Sequence, residues 1–108
     1  MSLKSTEVGK TFRYATFFDL SGNTALDLKF TSPTGVEFII SNPRVTDPAI
    51  QVTDPDVGVL PASTYMEFTT LATDFTELGL YTVCGTYTDA TPKVFYGDDA
   101  TFTVLAAC

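Results

Sequence analysis

Two acidic pairs, Asp54 with Asp56 and Asp98 with Asp99, and two thiols, Cys84 and Cys108, are the side chains of this chain whose types and spacing bear on chemistry. Paired carboxylates can act as general acid and base when they converge on a cleft, and clustered carboxylates can hold calcium. Neither pattern is complete. Asp54-Pro55-Asp56-Val57-Gly58 begins like a calcium loop but lacks the later bidentate Glu. It reads instead as a turn in which an Asp bonds its own backbone ahead of a glycine. Asp98 and Asp99 follow Gly97 and read as a solvated bend.

The chain has no histidine, which excludes Ser/His and Cys/His nucleophilic pairs and imidazole metal ligands. Two unrelated cysteines do not make a zinc site. No basic residue neighbours Cys84 in the sequence to hold a thiolate, so it reads as a small apolar surface residue, and Cys108 as a free exposed thiol. No phosphate-cradling glycine loop or nucleophile elbow is present. The expectation is a protein that is not an enzyme, with no catalytic residue, metal or cofactor.

Thirteen acids against six bases leave a net charge of −7, and no Lys/Arg cluster could neutralise several phosphates at once. Nucleic acid is therefore excluded as a partner. The opening MSLKSTEVGK lacks the apolar run of a signal peptide, and no stretch approaches the roughly 20 apolar residues of a membrane span. The expectation is synthesis in the cytosol, with both thiols reduced there and no membrane partner.

The elements that would position any site are strands, because Thr, Val and Phe abound and runs of helix formers at helical spacing are missing. The organising stretch is Asp74 to Tyr87. There Gly79 and Tyr81 precede a strict alternation that puts Tyr81, Val83, Gly85 and Tyr87 on one face and Leu80, Thr82, Cys84 and Thr86 on the other. This pattern predicts a tyrosine corner, with the Tyr81 hydroxyl bonded to the backbone upstream and Gly79 supplying a conformation that a β-carbon disfavours. The spacing of Leu71, Phe75 and Leu78 predicts a short helical turn before it.

Further strands are expected over 11–20, at Leu26, Leu28 and Phe30, at Val36, Phe38 and Ile40, over 49–53, briefly at Val59 and Leu60, over 64–70 and over 100–106. Residues 94–96 extend the last strand, and Gly97 marks a bulge or bend. About seven short strands separated by turn signals predict an all-β, immunoglobulin-like antiparallel β-sandwich over residues 10–108. Residues 1–9 read as an extended, loose N-terminal arm. A hairpin turning near residues 92 and 93 would set Cys84 opposite Thr101. Cys108 would then lie more than about 20 Å away, beyond disulfide reach.

The outward residues of the last two strands include Leu80, Thr82, Cys84, Thr86, Thr101, Thr103 and Leu105, with no Lys or Glu among them. A Thr-rich solvated sheet is one reading. The other is a face that packs on another protein together with Phe17 and Ile39, since exposed sheets are normally guarded by charge.

Taken in order, DLSGNT (Asp19 to Thr24), KFTSPTGV (Lys29 to Val36), Gly58 and Tyr65, the corner Asp74, Gly79 and Tyr81, GTY (Gly85 to Tyr87) and FTV (Phe102 to Val104) resemble one known family. It is the immunoglobulin-like domain at the N-terminus of tailed-phage baseplate upper proteins. The resemblance spans residues 19 to 104 and carries over no catalytic residue. It implies a structural protein of a bacteriophage virion, made in the host cytoplasm, that docks on other virion proteins at the tail, baseplate, neck or capsid, or on copies of itself. The contact residues expected are Leu3 and Val8 of the arm, Phe12, Tyr14 and Phe17 of the first strand, and Thr82, Thr86, Thr101 and Thr103 of the face. Gly79 and Tyr81 are expected to be structural. The alternative is a carbohydrate- or receptor-binding module, with Tyr65, Phe95 and Tyr96 as stacking platforms.

Overall fold

The structure is a computed structural model that describes residues 2–107. Among the described residues ten strands and no helix are formed: β1 (Ser2–Lys4), β2 (Thr11–Ala15), β3 (Ala25–Thr31), β4 (Glu37–Ser41), β5 (Val52–Asp54), β6 (Gly58–Leu60), β7 (Tyr65–Thr69), β8 (Gly79–Thr88), β9 (Val94–Tyr96) and β10 (Ala100–Leu105). A six-stranded sheet runs β1-β10-β8-β3-β4, with β9 also beside β8. β1 lies parallel to β10, and the other pairs are antiparallel, so the sheet is mixed. A second layer pairs β2 with β7 and is widened by a bridge between Thr46 and Glu67. β5 and β6 form a separate hairpin.

Alternation decides what faces the core, because successive side chains of a strand point to opposite sides. Leu26, Leu28 and Phe30 of β3, Tyr81 and Val83 of β8, and Phe102 and Val104 of β10 are buried from one layer. Phe12 and Tyr14 of β2 and Met66 and Phe68 of β7 are buried from the other. Phe12 joins the layers: its ring lies 5.1 Å from Phe68 in its own sheet, and 5.5 and 5.1 Å from Phe30 and Phe102 opposite. The all-β, sandwich-like architecture thus closes around a cluster of aromatic rings, several of them edge to face as their quadrupoles favour.

The corner forms as the spacing predicts. The Tyr81 hydroxyl donates to Glu77 O at 3.2 Å and accepts from Glu77 N–H at 3.1 Å. Gly79 sits at φ +123°, where a β-carbon would also come within 3.0 Å of Pro33.

Several local expectations are corrected. Residues 2–4 are not a loose arm: they are a strand of the main sheet, and Leu3 is buried in the core at 2% exposure. The first long strand stops at Ala15 because Phe17 turns to φ +57° and shares the Thr64 carbonyl with Thr16. The expected helical turn is an ordinary turn. Asp74 captures the Leu71 N–H at 2.7 Å and is gripped by both terminal nitrogens of Arg44, at 3.1 and 2.7 Å, so Phe75 alone of the three apolar residues is buried.

The register of the last strands also differs. Thr82, not Cys84, stands opposite Thr101. From Thr86 to Thr82 is four residues along β8, whereas their partners Tyr96 and Thr101 are five apart, so β9 and β10 run along one edge of β8 with an extra residue between them. That residue is absorbed in the bend at 97–99, where Gly97 N–H bonds Gly85 O at 2.8 Å.

Candidate functional site

The outer surface of the six-stranded sheet collects the threonines. In β10 and β8, Thr101 stands opposite Thr82, and Thr103 opposite Leu80; Thr82 in turn faces Thr31 of β3. Thr86 lies between Asp27 of β3 and Tyr96 of β9. Thr82, Thr86 and Thr103 are half-buried and Thr101 is exposed, while Leu80 is 58% and Tyr96 70% exposed. The four threonines named from the sequence are therefore brought onto one face.

That face is charged at its margins, which spacing within β8 and β10 could not reveal. Lys29 of β3 and Glu37 of β4 form an ion pair at 2.8 Å, and Ser41 donates to Asp27. Ile39, 62% exposed, is opposite Lys29. On the other margin Lys4 of β1 is opposite Leu105. The uncharged area is thus a band two strands wide, β8 and β10, bordered by charge.

The other expected contact residues divide. Leu3, Phe12 and Tyr14 are corrected from contact residues to core residues, at 2, 2 and 4% exposure, because their strands turn these side chains between the layers. Val8 and Phe17 are exposed, at 66 and 64%, but they flank the two ends of β2 and lie outside the threonine band. Of the stacking platforms considered, Tyr65 is fully buried with its hydroxyl donating to Ile50 O, and Phe95 is stacked on Tyr87 at 4.7 Å. Only Tyr96 among those three stands out into solvent.

Cys84 is half-buried, and its thiol donates weakly to Gly97 O at 3.5 Å. Burial, followed by the nearby Asp99 carboxylate, pushes its pKa up, so the thiol form persists at neutral pH and the group is a poor nucleophile. Cys108 lies outside the described residues.

Asp54 is the expected turn residue, its Oδ1 accepting from the N–H groups of Asp56 at 2.9 Å and Val57 at 3.2 Å. Yet the fold does something with the acidic pairs that sequence spacing did not reveal: both border one cleft of about 200 Å³ between β2 and the start of β10. Its floor is Phe12, Val83 and Phe102, and its rim carries Asp54, Asp98 and Asp99. Arg13 stands beside them but is held by Glu67 at 2.9 Å and Asp54 at 3.6 Å.

Tyr14 closes the end of this cleft. Burial pushes its pKa up, which keeps the hydroxyl protonated, and it donates to Asp98 O at 2.5 Å. Among the described residues no group of three or more His, Cys, Asp or Glu is arranged to hold a metal ion. Compared with family models, with curated proteins and with solved structures, the chain matches none.

Proposed function

We propose that this chain is an immunoglobulin-like β-sandwich serving as a non-enzymatic structural part of a tailed-bacteriophage virion. It would be an adaptor at the tail, baseplate or neck, or a decoration protein of the capsid, working through protein contacts. The fold part of the reading is supported by strand order. One layer runs β1-β10-β8-β3-β4 with β1 parallel to β10, the other pairs β2 with β7, and Tyr81 makes the corner bond at the start of β8.

The observation that carries the functional part is the uncharged band on β8 and β10. Leu80, Thr82, Thr101 and Thr103 present methyl groups and hydroxyls that need no desolvation of an ion to pack against another surface. On a chain with a net charge of −7, this uncharged band is where another surface meets no ion to desolvate.

The test is Thr82→Lys combined with Thr103→Lys. Both side chains point outward, so the variant is expected to fold with an unchanged circular dichroism spectrum. It is expected to lose the oligomer, or the incorporation into assembling particles, that the parent shows by light scattering and sedimentation. Assembly equal to the parent's would refute the role of this band.

A further inference from the structure

Strand β2 has one bonded edge and one open one. Along its bonded edge it is paired with β7, and the flanking bonds, Thr70 N–H to Lys10 O and Thr16 N–H to Thr64 O, fix which residues face that partner. Alternation in an antiparallel ladder then aims the backbone groups of Phe12 and Tyr14 at β7 and those of Thr11, Arg13 and Ala15 away from it. No strand among the described residues pairs on that second side.

The opposite layer is open at the same place. β1 accompanies β10 only along Thr103, Val104 and Leu105, so Ala100, Thr101 and Phe102 have a neighbour on the β8 side alone. The cleft of about 200 Å³ lies between these two unpaired edges.

Unpaired edges are normally protected by charge, bulges or a covering segment. β2 has its one ionised side chain, Arg13, tied to Glu67 and Asp54, and the turn that carries Asp54 and Asp56 stands beside this edge without pairing with it as a strand. The cleft beside it offers an apolar floor and a rim of carboxylates, with the exposed Asp98 and Asp99 on one wall and Asp54 on the other.

We propose that this cleft binds an extended, lysine- or arginine-bearing segment of another protein, which adds as a strand along β2. Its backbone would bond Thr11, Arg13 and Ala15. In the period of two that a strand imposes, one set of its side chains would lie on Phe12, Val83 and Phe102 while a cationic side chain reaches Asp98 and Asp99. Charge selects the occupant: an acidic or purely apolar strand would leave these carboxylates uncompensated at a surface whose net charge is already −7. This surface adjoins the threonine band at Thr101 but is built on the edge of β2 and not on the outer face of β8 and β10, and the inference stands whether or not the chain is a virion protein.

The experiment uses the full chain and a labelled peptide of alternating lysine and valine long enough to span β2. It is compared with the same peptide carrying glutamate for lysine, and with one N-methylated at alternate peptide bonds. Expected are slowed amide exchange at Thr11, Arg13 and Ala15 in the presence of the lysine peptide, and weaker binding of both control peptides by anisotropy. Asp98→Asn with Asp99→Asn is expected to weaken the lysine peptide by at least about tenfold. Failure of the lysine peptide to bind, binding without protection of those three amides, or equal binding of the glutamate or N-methylated peptide would each overturn the proposal.

Discussion

Tyr14 shows how much a single side chain can decide here. Its ring crosses from β2 into the opposite layer and passes between two glycines of β8 and the following bend. A β-carbon at Gly85 would lie 2.5 Å from Tyr14 Cε1, and one at Gly97 would lie 2.3 Å from its hydroxyl oxygen. These glycines are required by close approach rather than by backbone conformation. Gly85→Ala is therefore expected to destabilise the protein by about 1–3 kcal/mol, read by urea denaturation. In a Tyr14→Ala background the same substitution should cost much less, because the ring it would strike is gone.

Acid sensitivity belongs to the same scale. Side-chain hydrogen bonds from Thr91, Ser21 and Thr34 hold Asp89, Asp19 and Glu77, respectively, below their ordinary values, and backbone N–H bonds reinforce all three, with Ser32 adding a second side-chain bond to Glu77. Folded-state pKa values below the unfolded ones mean a contribution to stability that is full above the unfolded carboxylate range and is lost as pH falls through the folded values. The urea midpoint is expected to fall as pH drops below about 4. Asp89→Asn should flatten that fall, and a variant as acid-sensitive as the parent would show that Asp89 contributes nothing to it.

At the scale of elements, β1 shows most clearly how pairing changes the meaning of a segment. SLK is three residues with one apolar side chain, too little pattern to read as a strand. Parallel pairing with β10 nevertheless places Leu3 beside Val104 in register and buries it. Leu3→Ala is expected to cost about 2–5 kcal/mol, measured by thermal or urea unfolding. A loss near zero would mean that this end of the chain adds nothing to the core.

Elements with long alternation were legible beforehand: β3, β7, β8 and β10 appear where period-two spacing put them, though Ala100, expected inward at the start of β10, is exposed. Shorter elements were legible only in part: the strand expected over 49–53 is displaced to Val52–Asp54, while the brief strand at Val59 and Leu60 and the one over 94–96 form. β5 and β6 hold together through pairing with each other and through Leu60, buried as completely as the neighbouring Tyr65. The helical spacing of Leu71, Phe75 and Leu78 lost to the Arg44–Asp74 contact, a pairing 30 residues apart that no local pattern encodes.

Across the whole molecule, the two proposed surfaces differ in kind, and salt should separate them. The threonine band is uncharged and works against the repulsion of a net charge of −7, so added salt is expected to strengthen association through it. The β2 cleft recruits a cation to carboxylates, so salt is expected to weaken peptide binding there. Light scattering of the parent protein and anisotropy of the lysine peptide, each across a salt series, should move in opposite directions.

Residue order along the chain was sufficient, by itself, for the all-β character, the faces of the longer strands, the corner at Gly79 and Tyr81, and the outward placement of Thr82, Thr86, Thr101 and Thr103. These follow from period-two alternation and short-range turn chemistry, which act over a few residues. Only the tertiary structure decided that Leu3, Phe12 and Tyr14 are core, that β10 is shifted by two residues along β8, and that Asp54 meets Asp98 and Asp99 across a cleft between two open edges. The physical reason is that register and neighbourhood are set by burial of the whole aromatic cluster at once. Strands of both layers contribute to that cluster, and none of them specifies it alone.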